Sequence, residues 1–347
     1  MRSQRKQEHL NLATNVPDSP VSTGFEDVFL LHDSVPELSL DEVDVATDFL
    51  GKKLKLPLLI NAMTGGIPEA EDINRGLAQV AASAGIGIAV GSQLVAMEER
   101  DGLESFRVVR RVNPHGVVLA NVSASTDAGP AVRAVNMIEA DGLQVHLNVP
   151  QELAMAEGDR SFKGVLDNIA DLVYKSPVPV IAKEVGFGMS REAAARLAEV
   201  GVAGLDIGGS GGTNFVAIEN MRGGLFADLT EWGIPTAVSL LEVLSTQPQA
   251  RVIASGGIWG ALPAAKALAL GADIVGIAAP FLRVLRTAGV DGLMEEMDLF
   301  AYRLRAVTLM VGARNLAELR QKPVLVTGRT AEWLKLRGID ARHWARR

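Results

Sequence analysis

Four polar side chains crowd the end of one short apolar run. In LQVHLNVPQE, residues Leu143, Val145, Leu147 and Val149 fall on one face of an extended chain, and Gln144, His146 and Asn148 on the other. Pro150 then breaks the alternation and delivers Gln151 and Glu152. A hard divalent cation such as Mg²⁺ is commonly held by one or two carboxylates together with substrate phosphates. Glu152 has the chemistry for that, with His146, Asn148 and Gln151 as hydrogen-bonding neighbours; as a bare loop glutamate it could equally cap a helix. Lys183 lies in IAKEVG among apolar neighbours, where an unpaired ammonium is costly. Its alternatives are a Schiff base, a cation facing an electron-rich ring, or a salt bridge. Glu184 is a poor partner for that bridge, because adjacent strand residues point to opposite faces.

Two glycine-rich stretches have the chemistry of a phosphate cradle: Ser255-Gly256-Gly257-Ile258 and GGSGGT at 208–213, where Thr213 adds a hydroxyl. Glycine turns also end many strands, so the pattern gains meaning only from its place in the fold. Near the N-terminus, Arg5, Lys6 and His9 would put Arg5 and His9 on one face of a helix. They read either as a cationic arm closing over a phosphate or as a solvated terminus. No spacing of His, Asp and Glu matches a zinc site, and no Ser-His-Asp arrangement can be assembled. Zero cysteines exclude disulfides, thiolate metal sites and cysteine nucleophiles.

The elements that must position these residues recur regularly. Eight apolar, β-branched-rich runs begin at Pro57, Gly85, Gly116, Gly142, Val178, Gly204, Arg251 and Asp273, each separated by room for a helix. REAAARLAEVG (191–201) and ALPAAKALALGAD (261–273) have helix formers, an apolar stripe and a terminal glycine. Eight such units predict an α/β fold, a (β/α)8 TIM barrel, with an open doubly wound sheet as the alternative. In a barrel the chemistry sits at the C-terminal strand ends, where the polar and glycine residues of this chain are concentrated. The expected organisation is one domain over 1–347: an N-terminal extension or lid (1–56) packing over the barrel, the barrel (57–311), and a C-terminal extension (312–347). A long Gly-rich loop follows strand six. Net charge is −7, which disfavours nucleic acid and anionic membranes as partners but leaves room for a small anion held by local cations. No 18-residue apolar run or signal-peptide core is present, so a cytoplasmic protein is expected.

The motifs RKQEHL, PLLINAMTGG, VGSQ, LQVHLNVPQE, EGDRSF, KEVGFGMS, DIGGSGGTNF, IENMR, ASGGI and LGAR run in order along almost the whole chain. Together they resemble the type 2, flavin-dependent isopentenyl diphosphate isomerases. The resemblance implies a barrel carrying FMN. Ala62, Met63, Thr64, Ser92, Asn121, Lys183 and Thr213 would contact the flavin, and Gly256, Gly257, Ile258, Ala278 and Ala279 would hold its phosphate end. Arg5, Lys6, His9, Ser92, Gln93, His146, Asn148 and Gln151 would surround a substrate diphosphate, and Glu152 would hold Mg²⁺. Leu94 stands where some relatives carry a cation. The implied reaction is a 1,3-proton shift with reduced FMN as the acid and base, NADPH serving as reductant, in a homotetramer or homo-octamer. Lys183, Gln151 and His146 would support the flavin. The rivals are an FMN oxidoreductase on the same barrel, such as a 2-hydroxy-acid oxidase, and a flavin- or phosphate-binding sensor without turnover. The former needs a histidine base after the late strands, where this sequence offers glycines.

Overall fold

The computed structural model describes residues 19–98 and 102–347. All eight predicted runs are strands: β1 (Leu58–Ile60), β2 (Gly87–Ala89), β3 (Val118–Ser123), β4 (Gly142–Leu147), β5 (Val180–Glu184), β6 (Gly204–Asp206), β7 (Arg251–Ser255) and β8 (Ile274–Ile277). They pair in parallel in sequence order, and β8 returns to β1 through Val275–Leu58 and Ile277–Ile60. That last pairing closes the barrel and excludes the open sheet.

Strand alternation sorts side chains into two environments. Outward residues such as Leu143, Val145, Val180 and Ala182 join the large core between the strands and the surrounding helices. Inward residues at the N-terminal end, Leu59, Leu119, Ile181, Ile253 and Ile274, form a smaller apolar cluster. Further along the same strands the inward positions become Asn61, Asn121, Gln144, Lys183, Asp206 and Ser255, all buried. The barrel is therefore oily at its base and polar toward its C-terminal mouth.

The helices follow their sequence signals. Arg191–Glu199 starts at Ser190, whose hydroxyl accepts the Ala193 N–H, and Ala261–Leu270 ends at Gly271. The long connection after β6 contains a seven-residue helix, Phe215–Met221, capped by Asn214, before the barrel helix Thr236–Ser245 begins.

Residues 1–18 of the N-terminal extension lie outside the described residues. Its described part spans the molecule from mouth to base. Ser19 N–H donates to Gly212 O (3.0 Å) at the mouth. Residues Val28–Leu30 pair antiparallel with Val324–Val326, joining the two extensions to each other. The hairpin Thr47–Phe49/Lys52–Leu54 then places Phe49 and Leu54 in the apolar cluster at the base. Phe49 is 1% exposed and closes the barrel floor. Replacing it with alanine removes that plug, and Phe49→Ala is expected to lower unfolding stability by about 3–5 kcal/mol in denaturant titrations.

Candidate active site

A cavity of about 750 Å³ opens at the C-terminal mouth of the barrel, within the usual range for small-molecule sites. Sixteen of the seventeen predicted site residues that fall among the described residues line it. Ala62, Met63, Thr64 and Ser92 follow β1 and β2; Asn121, His146 and Lys183 rise from β3, β4 and β5. Asn148, Gln151 and Glu152 form one wall, and Thr213, Gly256, Gly257, Ile258, Ala278 and Ala279 face it from the loops after β6, β7 and β8. Arg5, Lys6 and His9 lie outside the described residues.

Gln93 is the exception. It is fully buried away from the cavity, its Nε2 donating to Ala134 O (2.9 Å) and its Oε1 accepting the Asn121 N–H (3.0 Å). It holds the end of β3 in place rather than facing a ligand. Leu94, beside it, does line the cavity.

The glycine side is built by two turns packed backbone to backbone. Gly209 N–H donates to Ser255 O (2.9 Å), and the buried Thr236 hydroxyl, which donates to Ser210 O (2.8 Å), lies 2.6 Å from Gly256 O. Gly256 has φ +102°, and a β-carbon there would sit 2.1 Å from Gly209 O; Gly257 has φ +69° with Gly211 O at 2.4 Å. No side chain fits, which leaves bare backbone facing the cavity, as a phosphate cradle requires. Gly256→Ala is expected to lower the urea midpoint of unfolding, because the turn must move to admit the methyl.

The opposite wall is carboxylate and amide. The chain leaves β4 at Leu147, Asn148 takes the N-cap position of the short helix Val149–Ala154 without a side-chain cap hydrogen bond, and Pro150 occupies its first turn. Glu152 Oε1 accepts from Asn148 Nδ2 (2.8 Å) and Oε2 from Asp159 N–H (2.9 Å). It thus caps the following loop while also facing the cavity. Gln151 turns instead to Glu219, donating from Nε2 (3.1 Å), and Arg222 pairs with Glu219 (2.5 Å) and Glu157 (3.3 Å). Arg222 lines the cavity. Neither it nor Glu219 was singled out from sequence, although both lie in the IENMR motif.

Of its three sequence alternatives, Lys183 makes the salt bridge, with a carboxylate other than Glu184. Its ammonium lies 3.2 Å from Asp206 Oδ2 and donates to Glu184 O (2.9 Å), while the side chain faces the cavity. Asp206, 0% exposed, also accepts from Asn61 Nδ2 (2.7 Å), Gln144 Nε2 (3.4 Å) and the Ser255 hydroxyl.

Glu184 points to the other face, as alternation requires. Burial pushes its carboxyl from the usual 4.5 up to about 8, against the pull of the Val185 and Phe187 N–H groups and of Lys183. The folded protein therefore holds a proton that the unfolded chain releases above about 4.5, so this group's contribution to stability is lost as pH rises toward about 8. Glu184→Gln is expected to flatten the fall in urea midpoint across that pH window.

The geometry has clear relatives. Residues 95–326 match the FMN-dependent dehydrogenase family, a span of more than half the chain. Among solved structures the fold resembles mandelate oxidase with benzoyl-formic acid (TM-score 0.67, 16% identity, 93% of this chain and 96% of that one). It also resembles a lactate oxidase from Pediococcus acidilactici (TM-score 0.69, 14% identity, 94% and 93%). At such identities the likeness concerns the barrel alone. Full-length similarity is narrower. The chain is 50% identical to the isopentenyl-diphosphate delta-isomerase of Moorella thermoacetica over 96% of both sequences. It is 48% identical to that of Symbiobacterium thermophilum over 98% of this chain and 97% of that one. The chain belongs to the isopentenyl-diphosphate delta-isomerase family, on the barrel of the FMN-dependent dehydrogenases.

Proposed function

We propose that this enzyme interconverts isopentenyl and dimethylallyl diphosphate by a 1,3-proton shift, with FMN and Mg²⁺ bound in the mouth cavity. One observation carries the reading: a bare-backbone glycine cradle faces a carboxylate–amide wall across a single cavity, giving one side to a flavin phosphate and the other to a magnesium diphosphate.

The residues fit the cofactor. Gly256, Gly257, Ile258, Ala278 and Ala279 would hold the FMN phosphate, and Ala62, Met63, Thr64, Ser92, Asn121, Lys183 and Thr213 would surround the ring. Bound and reduced, the flavin would supply acid–base chemistry near its N5 edge. The Lys183 ammonium would face the ring and tune it with its positive charge. For Mg²⁺, one carboxylate plus substrate oxygens is an ordinary set, and Glu152 would be that carboxylate. Among the described residues no group of three His, Asp or Glu side chains is arranged to hold a metal; the substrate's own phosphates would complete the proposed site.

Isomerisation adds a proton to the terminal alkene carbon and removes one from the carbon between the double bond and the diphosphate-bearing carbon. An alkene is a feeble base, so the chain must supply close positioning and an enclosed, polarised site. Ser92, His146, Asn148 and Gln151 would orient the diphosphate, and Arg222 adds a cation to the same wall. The Arg5, Lys6 and His9 arm would close from above; the Ser19–Gly212 hydrogen bond brings the start of the described chain to the mouth, which supports that role. We further propose NADPH as the reductant, a homotetramer or homo-octamer, and a cytoplasmic enzyme of isoprenoid biosynthesis. No described helix is long and apolar enough to cross a membrane.

A hydroxy-acid oxidase would need a histidine near the late strands. His146 comes from β4, and His343 lies in the C-terminal helix Arg342–Ala345. The test is an anaerobic assay with isopentenyl diphosphate, Mg²⁺ and FMN, following dimethylallyl diphosphate by NMR. Product is expected only with reduced flavin and Mg²⁺; flavin retention without product would overturn the reading.

A further inference from the structure

Arg160, in the motif EGDRSF, is an exposed cation surrounded by five carbonyls. Its Nη1 donates to Glu152 O (2.6 Å), Gly158 O (2.8 Å) and Asp159 O (3.2 Å), and its Nη2 to Met155 O and Ala156 O (3.4 Å). Holding a long side chain in one geometry costs rotamer entropy, so a surface arginine without a task would stay in water. The planar fork of a guanidinium serves several acceptors at once, which an ammonium cannot match. The chain from 152 to 159 is thereby wound around the guanidinium. Gly158 permits the winding, since a β-carbon there would sit 2.0 Å from Glu152 O.

Two of these contacts converge on one side chain. Glu152 O lies in the last turn of the helix Val149–Ala154, where carbonyls lack intrahelical partners, and Arg160 takes it. That bond fixes the backbone that carries the Glu152 side chain. The second route runs through the peptide joining Gly158 to Asp159. A trans peptide is planar, with its C=O and N–H pointing in opposite directions. Arg160 holds the Gly158 O end, which turns the Asp159 N–H away from the guanidinium and toward Glu152 Oε2, at 2.9 Å. Asn148 Nδ2 holds the other carboxylate oxygen at 2.8 Å. We infer that Arg160 is a positioning residue: it sets both the backbone and the carboxylate orientation of Glu152, and through them the grip on a divalent cation. The inference rests on the reading of Glu152 as the carboxylate for Mg²⁺. Glu152 lines the cavity and Arg160 does not, so Arg160 reaches a cation there only through the loop or through its charge.

The experiment separates those two routes. Mn²⁺ with inorganic pyrophosphate stands in for a magnesium diphosphate, and its binding to the full-length protein as purified is read from water-proton relaxation, without substrate or turnover. Arg160→Lys keeps the positive charge but loses the fork. It is expected to weaken Mn²⁺–pyrophosphate binding on the order of ten-fold, as loss of a group that orients a metal ligand does. Gly158→Ala leaves the arginine in place but opens the same turn, and a similar loss is expected. Parent-like binding in Arg160→Lys would reduce the arginine to a charge and overturn the inference.

Glu152→Gln supplies the reference. It is expected to weaken the same binding at least as much, and Arg160→Lys added to it should bring no further loss, because the carboxylate being positioned is gone. A further ten-fold loss in the double variant would mean that the arginine props up the wall generally, and overturns the inference. Parent-like binding in Glu152→Gln would show that Glu152 is not the cation's carboxylate; the metal reading then falls, and the inference with it. Loss in Glu152→Gln without loss in Arg160→Lys leaves the metal reading standing and sinks the inference alone. Should Arg160→Lys not fold, Gly158→Ala decides in its place. Failure of both to fold overturns the proposal by making the turn a folding element.

Discussion

An aspartate sealed under the cavity floor and a lysine 3.2 Å from it govern what the upper half of this barrel can contain. A closed barrel forces every second strand residue inward. At the base that demand is met by Leu59, Leu119, Ile181 and Ile253, sealed by Phe49. Toward the mouth it is met by a charge pair, and one buried charge pair recruits more polar groups, because each remaining lone pair and proton must find a partner. Asn61, Gln144, Asn121 and Ser255 supply them from four other strands. Apolar replacements would pack the same space with less desolvation. What the polar set adds is a fixed arrangement of donors and acceptors beneath a ligand.

Above that floor the walls divide the work by chemistry. On the side of β6 to β8, side chains are excluded and backbone does the presenting; the Gly209–Ser255 and Thr236–Gly256 contacts make the two glycine turns one body. On the side of β4, side chains dominate, and the short helix Val149–Ala154 meets the helix Phe215–Met221 through Gln151 and Glu219. The insertion after β6 therefore serves both walls, which accounts for its length.

The strands and their inward residues were legible because period-two alternation and regular spacing are local signals. Lys183, His146 and the glycine turns stood out because their residue types are costly or unusual where alternation put them. Asp206 did not: in GLDIGG it reads as one acid at a strand end, and its partners come from four other strands, which only barrel closure brings together. Glu219 and Arg222 were hidden for a related reason, since the helix that carries them sits inside a segment whose glycines dominate its pattern. Gln93 misled in the opposite direction. Its amide is as polar as that of Gln151, and no local feature distinguishes one that holds a neighbouring backbone from one that faces a ligand. The extension's route down to the base depended on contacts with residues as distant as 326.

The pairing of Val28–Leu30 with Val324–Val326 also sets a timetable. The first of these strands leaves the ribosome some 300 residues before its partner, a delay on the order of tens of seconds at typical synthesis rates. During that interval the barrel strands can find one another in sequence, but the segment from Ser19 to Leu30 lacks the strand that anchors its far end. The segment from Ser19 to Leu30 therefore takes its final place last, when translation is nearly complete.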